Sequence, residues 1–135
     1  MASYGSPITT ELAKKVAAAA LAEARANNWA MAAAIVDASG ILVYFEKIDD
    51  TQHASPRIAI DKARSAALFK RSTKTFQDSV EKGGIGLRVM TLRGAMQVEG
   101  GVPLLVDGKI VGALGISGGT AEQDGQCCKA ATDAM

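Results

Sequence analysis

Aromatic side chains are scarce in this chain: Phe, Trp and Tyr together make up 4% of its 135 residues. Hydrophobic residues of all kinds still account for 48%, so a core can form, but Ala, Val, Ile, Leu and Met must supply most of it. The length is typical of one domain, yet small side chains each bury little apolar surface. We therefore predict a single domain over residues 1–135 that gains further burial by forming a homo-oligomer.

Cysteine and long apolar runs are nearly missing as well. The only cysteines are the adjacent Cys127 and Cys128, and neighbours on a helix point about 100° apart, which excludes a disulfide framework. No apolar run approaches the roughly 18 residues that a membrane span requires. Residues 1–7 lack the basic start and apolar stretch of a secretory signal. These absences predict a protein of the reducing cytoplasm without a membrane partner.

An excess of charge of one sign is also absent, since 15 basic and 14 acidic residues leave a formal net charge of +1. Binding to a nucleic-acid backbone needs concentrated positive charge. The densest basic cluster consists of Lys62, Arg64, Lys70, Arg71 and Lys74. Such a cluster is more typical of a solvated helix face, so no nucleic-acid partner is predicted.

Hydrophobic spacing and turn residues divide the chain into helices and strands. The predicted elements are helices over 10–26, 56–70, 73–80 and 121–134, and strands over 29–36, 41–48, 101–106 and 109–117. A glycine-rich break covers 82–86, and 87–98 is ambiguous. Asp and Gly lie between the strands of each pair, which predicts two hairpins. The fold class is therefore α+β: an antiparallel sheet with helices packed over it, in a profilin-like or PAS-like sandwich.

A glycine-rich turn, Ser117-Gly118-Gly119-Thr120, lies where the last strand gives way to the last helix. Glycines let backbone N–H groups approach a ligand, and the start of a helix favours an anion such as a carboxylate or a phosphate. The structural alternative is a tight turn with Thr120 as the helix cap.

His53 is the only histidine and lies in a polar loop just before the second helix. One imidazole cannot build a multi-histidine zinc site, but it is sufficient as an axial ligand to haem iron. The structural alternative is an ordinary surface residue.

Other polar residues have several possible roles. Arg71, Arg93, Glu99 and Asp124 are candidates for salt bridges, subunit contacts or binding of propionate groups, and surface pairing is the commonest role of such residues. Cys127 and Cys128 are better explained as small core residues than as thiolate ligands. A triad of Ser117, His53 and Asp124 lacks the nucleophile-elbow pattern that would support it.

Three stretches of the chain resemble the GlcG/HbpS-like family, which includes the C-terminal domain of PduO-type corrinoid adenosyltransferases. They are residues 34–42, residues 58–69 with Arg71 and Thr73, and residues 101–119, of which the glycine-rich end followed by Gln123-Asp124 is the most specific. The resemblance implies a five-stranded antiparallel sheet flanked by helices, in a dimer or a larger assembly such as an octamer. It also implies haem binding, or an accessory role near glycolate, propanediol or glycerol metabolism.

The chain departs from the family pattern at two positions. Ile41 stands where the family often has histidine, and Ile48 where it often has methionine before the following aspartate. A haem ligand at either position is therefore missing, and His53 would have to substitute for it.

Three hypotheses follow. In the first, the protein binds a small ligand, haem or a related tetrapyrrole, through His53 to the metal, while Arg71, Ser117, Gly118 and Gly119 hold carboxylates in one shared hollow. In the second, an isomerase or lyase acts on a small carbonyl or carboxylate metabolite with Glu99 or Asp124 as the base. In the third, the protein is a structural partner that stabilises a larger enzyme.

Overall fold

Four antiparallel strands form one sheet, and helices pack on both of its faces. The computed structural model describes all 135 residues. Its elements are α1 (Thr10–Ala26), β1 (Ala32–Asp37), β2 (Leu42–Lys47), α2 (Ser55–Phe69), α3 (Thr73–Lys82), a 3-10 helix (Gly84–Thr91), β3 (Gly101–Val106), β4 (Lys109–Ser117) and α4 (Ala121–Asp133). The strand order in the sheet is β2-β1-β4-β3. None of these helices combines the length and the apolar character needed to span a lipid bilayer.

Both predicted hairpins are confirmed, and their turns show why they form. Asp107 and Gly108 have φ angles of 52° and 75° between β3 and β4, as a two-residue turn with two left-handed positions requires. In the β1–β2 turn the Asp37 carboxylate accepts the N–H groups of Ser39 and Ile41, at 2.8 and 3.1 Å. Asp and Gly thus set the two turns through local backbone chemistry.

The prediction of five strands is wrong, because the sheet has four. The nearest substitute for a fifth strand is the N-terminal segment, where Tyr4 forms one isolated bridge with Ile110 beside β4. Three backbone hydrogen bonds join this segment to β4, from Gly5, Ile8 and Ile110, but they form only this one bridge and no further strand. The ambiguous stretch 87–98 adds no strand either, because it forms the end of the 3-10 helix and then turns.

The face of the sheet that packs against α2 is built almost entirely from alanine. Its cluster has eight buried residues, of which Val36 is the only one that is not alanine. The helix comes so close to β4 that a Cβ atom added at Gly115 would overlap the carbonyl oxygen of Ala59. Small side chains therefore bring α2 almost into backbone contact with the sheet.

The opposite face of the sheet packs against α1 and α4 with larger side chains. Its cluster of 17 buried residues includes Leu21, Ile35, Leu104, Leu114 and Ile116. Side chains that alternate along each strand supply the two faces in turn, as the pleat requires. The main core of the molecule therefore lies between this face and α1 with α4.

Candidate functional site

His53 lies in the turn between β2 and α2, where its side chain is exposed. It lines an open depression of about 870 Å³ together with seven residues of α2 and its entry: Ala54, Pro56, Arg57, Ile58, Ile60, Asp61 and Arg64. All eight lining residues belong to the single continuous segment 53–64. The depression is therefore a one-sided surface of α2 and not a cleft between two elements.

Local bonds hold the segment before His53 in place. Thr51 is buried and its hydroxyl donates to the carbonyl oxygen of Ile48 at 2.6 Å. The Gln52 amide donates to the hydroxyl of Ser55, the first residue of α2, at 2.9 Å. These two hydrogen bonds tie the loop to the residues before and after it, and they thereby set the position of His53 relative to α2.

The inward face of α2 decides which side chains face the depression. Buried alanines at 59, 63, 66 and 67 bind the helix to the sheet, which turns Arg57, Asp61 and Arg64 outward into solvent. Arg57 and Arg64 are two helical turns apart, about 10 Å along the axis. Because seven residues make nearly two full turns, both side chains lie on the same face of the helix.

The two guanidinium groups in the depression are free of ion pairs. The four ion pairs of the structure include neither Arg57 nor Arg64, although Asp61 lies between them. An imidazole, two free guanidiniums and the apolar side chains of Ile58 and Ile60 therefore share one surface. Such a surface can bind a flat ligand that carries a metal ion and carboxylate groups.

Arg71 is at the other end of α2 from His53. With 15 residues and a rise of about 1.5 Å each, the helix separates the two by about 22 Å. The Arg71 Nε donates to the carbonyl oxygen of Phe69 at 2.9 Å, and the guanidinium lies 5.7 Å from the centroid of the Phe76 ring. The structure does not bring Arg71 and His53 to one site.

The amides of the glycine-rich turn are engaged within the turn itself. Gly119 N–H donates to Asp124 Oδ1 at 3.1 Å, and Thr120 N–H donates to Gln123 Oε1 at 3.0 Å. Thr120 in turn caps α4 in a reciprocal capping box with Gln123, which is the structural alternative given for this turn. None of Ser117, Gly118 and Gly119 lines the depression beside His53, so the expected shared hollow does not form within one chain.

Asp124 is buried in an ion pair with Lys62, whose Nζ lies 2.8 Å from the carboxylate. The same Nζ donates to the carbonyl oxygen of Ile116 at 3.0 Å. Burial raises the pKa of Asp124, although the Lys62 ammonium and the Gly119 N–H act in the opposite direction. Since both carboxylate oxygens already have partners, Asp124 forms no triad with His53 and Ser117.

The two thiols are buried and protonated. Burial raises the pKa of Cys127 to about 12, and it raises the pKa of Cys128 as well. The Cys127 Sγ lies 3.6 Å from the sulfur of Met31, and the Cys128 thiol donates to the carbonyl oxygen of Gly100. They pack in the core as small apolar residues and form no disulfide.

Arg57 and Arg64 are the site residues that sequence reasoning missed. The sequence does contain a signal for this surface, because Arg57 and Arg64 follow the lone histidine with a spacing of seven residues. This spacing places both arginines on the face of the predicted helix that carries no alanine. The signal was hidden because Arg64 belongs to a basic cluster that is also typical of an ordinary solvated helix face.

Comparison with known proteins gives consistent matches over nearly the whole chain. The family model described as haem degrading protein HbpS-like matches residues 8–133. Protein GlcG of Escherichia coli (strain K12) is 39% identical over 110 residues, which are 82% of this chain and 81% of that protein.

Two solved structures share the fold. The crystal structure of Klebsiella pneumoniae protein ORFY superposes with a TM-score of 0.86 at 30% identity, covering 98% of this chain and 92% of that one. The crystal structure of a PduOC:heme complex superposes with a TM-score of 0.85 at 29% identity, covering 96% and 95%.

Proposed function

The chain belongs to the haem-degrading protein HbpS-like family, and we propose that it binds haem, or a closely related metal tetrapyrrole, on the outer surface of α2. The observation that carries this proposal is the depression that places the only imidazole beside two unpaired guanidiniums. A solved relative of similar fold is a haem complex, which supports the choice of ligand.

The residues of the depression fit the chemical groups of haem. The exposed imidazole of His53 offers a nitrogen for one axial position of the iron. Arg57 and Arg64 are free to hold two carboxylates, since guanidinium groups bind carboxylates with charge-assisted hydrogen bonds. Ile58 and Ile60 supply apolar contact for a porphyrin ring. Haem bound here would supply the iron, while the protein supplies the ligand, the charge and the apolar surface.

His53 is the only residue available for the imidazole role. Ile41 and Ile48 stand at the positions where the family often has histidine and methionine. Ile41 is 63% exposed and precedes β2, whereas His53 follows that strand, so the two lie toward opposite ends of it. A carboxylate-binding role for Arg71, Ser117, Gly118 and Gly119 stays a prediction, and it would require a second copy of the chain.

The one-sided depression supports a homo-oligomer, which we propose to lie between a dimer and an octamer. A ligand on the surface of a single helix would be exposed on its other side, whereas bound cofactors are mostly enclosed. The chain also exposes the large apolar residues Ile85, Leu87 and Met90 of the 3-10 helix, which has no buried residue. Exposed apolar patches of this kind mark contact surfaces.

The cellular role is proposed from the same observations. Two buried free thiols and no disulfide support a reducing cytoplasm. A role accessory to a catabolic pathway, and the alternative of a structural partner of a larger enzyme, stay predictions from the resemblance.

Titration of the purified protein with hemin, followed at the Soret band, tests the proposal. We expect saturable binding, and for His53→Ala a displaced Soret maximum because the iron loses its nitrogen ligand. Arg57→Ala and Arg64→Ala should each weaken binding about tenfold or more, since bonds to charged groups contribute roughly 1.5–3 kcal/mol, with the Soret maximum retained.

Arg25→Ala is the control, because it removes an exposed guanidinium of α1 that pairs with Glu46 and does not line the depression. Its titration should match that of the unaltered protein. A hemin spectrum that the protein does not change contradicts haem binding, and an unaltered spectrum for His53→Ala contradicts the ligand assignment alone.

A further inference from the structure

A second cavity, of about 210 Å³, lies between α3 and α4 above the start of β3. Gly100 and Gly101 form its floor, and Gly125 forms part of the wall that α4 provides. Lys74 of α3, Lys129 of α4 and Glu99 line it as well. It shares no lining residue with the His53 depression, so it constitutes a separate site.

Glu99 is the one charged residue of this cavity that has no partner. Its backbone N–H donates to Gln77 Oε1 at 2.7 Å, which holds the residue in place. Its carboxylate takes part in none of the ion pairs or side-chain hydrogen bonds of the structure, although the residue is half-buried. A carboxylate in this position is ready to accept bonds from a bound donor.

Gly125 shows that the chain leaves room for this carboxylate. The residue lies inside α4, where glycine is less favourable than alanine. A Cβ atom added there would overlap the Glu99 carboxylate. Glycine at position 125 therefore lowers the helix propensity of α4 but allows the Glu99 side chain to lie against the helix.

The two lysines face the cavity from opposite walls and can turn toward a ligand. Lys74 pairs with Asp78 at 2.9 Å and Lys129 with Asp133 at 2.8 Å, both within one helical turn and both exposed. The pKa of Lys74 is raised, mainly by its bond to Asp78 and to a smaller extent by the charge of Glu99. Exposed pairs of this kind are weak, so a ligand carboxylate can compete for either ammonium.

We propose that this cavity binds a small α-amino acid, with Glu99 accepting from its ammonium group and Lys74 and Lys129 binding its carboxylate. The unpaired negative charge and the two ammonium groups match the two charges of a zwitterion. At about 30 Å³ per water molecule the volume corresponds to about seven waters. That is sufficient for a small amino acid such as glycine, alanine or serine.

Calorimetric or NMR titration of the intact protein with alanine tests the proposal, with ethylamine and acetate as the two halves of the ligand. We expect alanine to bind at least about tenfold more tightly than either half, because only the zwitterion can pair with both Glu99 and the two lysines. Equal or stronger binding of acetate would instead assign an anion site, and equal or stronger binding of ethylamine a cation site. Either result overturns the proposal, as does the absence of binding.

Two variants locate the site. Glu99→Gln should weaken alanine binding about tenfold or more, and Glu81→Gln, an exposed acid of α3 outside the cavity, should leave it unchanged. Gly125→Ala displaces the Glu99 carboxylate and should weaken binding in the same way, although it improves the helix propensity of α4. Alanine binding that survives both Glu99→Gln and Gly125→Ala contradicts the assignment. Hemin binding is unaffected by these variants, so failure here is distinguishable from failure of the proposed function.

Discussion

The two faces of the sheet are held by different kinds of packing. On the α2 face the contacts are alanine against alanine, and β4 presents Gly115 to the helix backbone. On the α1 and α4 face they involve Leu, Ile and Met side chains. The first arrangement fixes the distance between helix and sheet very closely, whereas the second buries most of the apolar surface. The candidate haem surface is on the helix that is held by close approach, so the backbone of that surface is fixed relative to the sheet.

The two faces are joined by one buried ion pair. Lys62 belongs to α2 and Asp124 to α4, on opposite sides of the sheet, and they are only 1% and 2% exposed. Their side chains meet beside Gly100, where an added Cβ would come within 2.7 Å of the Lys62 Nζ. Glycine at this position therefore opens the passage through which the charges pair.

The largest predicted effect comes from breaking that ion pair on one side only. Asp124→Leu leaves the Lys62 ammonium buried without a counter-charge, so we expect a loss of about 3–5 kcal/mol in the free energy of unfolding. Lys62→Met combined with Asp124→Leu removes both charges and should recover a large part of that loss. Urea unfolding of the single and double variants measures the difference.

The exposed pair of Lys129 and Asp133 is the control for that experiment. Asp133→Ala should change the free energy of unfolding by less than about 1 kcal/mol. A double variant no more stable than Asp124→Leu would show that the loss comes from packing and not from the stranded charge.

A smaller pair of effects separates the two kinds of packing. Leu114→Ala opens a cavity in the α1 and α4 face, and we expect a loss of about 2–5 kcal/mol. Ala63→Leu overfills the α2 face, where no space exists, and should cost about 1–3 kcal/mol and shift the helix outward. Hemin affinity should stay constant for both variants, measured on the folded fraction, because all lining residues of the depression move together with α2. A lower affinity for Ala63→Leu would contradict a binding surface confined to the segment 53–64.

The smallest effect concerns the thiols of the α1 and α4 face. Burial raises the pKa of Cys127 in the folded protein to about 12, above its ordinary value of 9.0. The stability that the protonated thiol contributes is therefore fully present below pH 9 and is lost as the pH rises toward 12. The same direction holds for Cys128. Between pH 7 and pH 10, the unaltered protein should therefore lose more stability than the variant Cys127→Ala/Cys128→Ala.

Urea midpoints at the two pH values measure this difference, and comparison with the variant removes the titration of lysines and tyrosines that both proteins share. Equal losses of stability in the unaltered protein and in the double variant would mean that the thiols ionise as easily in the folded protein as in the unfolded chain.

Local chemistry explains why the fold was largely predictable. The Asp-Gly turns, the four-residue spacing of α1 and the Thr120 cap each depend on residues close together in sequence, and all are found in the structure. The fifth strand was wrong because it was inferred from the family and not from local pattern, and the N-terminal segment forms only a single bridge beside β4.

The site was less predictable because it depends on which helix face turns outward. The sequence by itself determined the antiparallel α+β architecture, the family and the presence of a single imidazole at the entry to a helix. Only the tertiary structure decided that the helix face with Arg57 and Arg64 turns outward, and that Asp124 satisfies Lys62 and the Gly119 amide. Turn chemistry and hydrophobic spacing act between neighbours in the chain, whereas the outward face of α2 and the partners of Asp124 are set by how α2 and α4 pack on the two faces of the sheet.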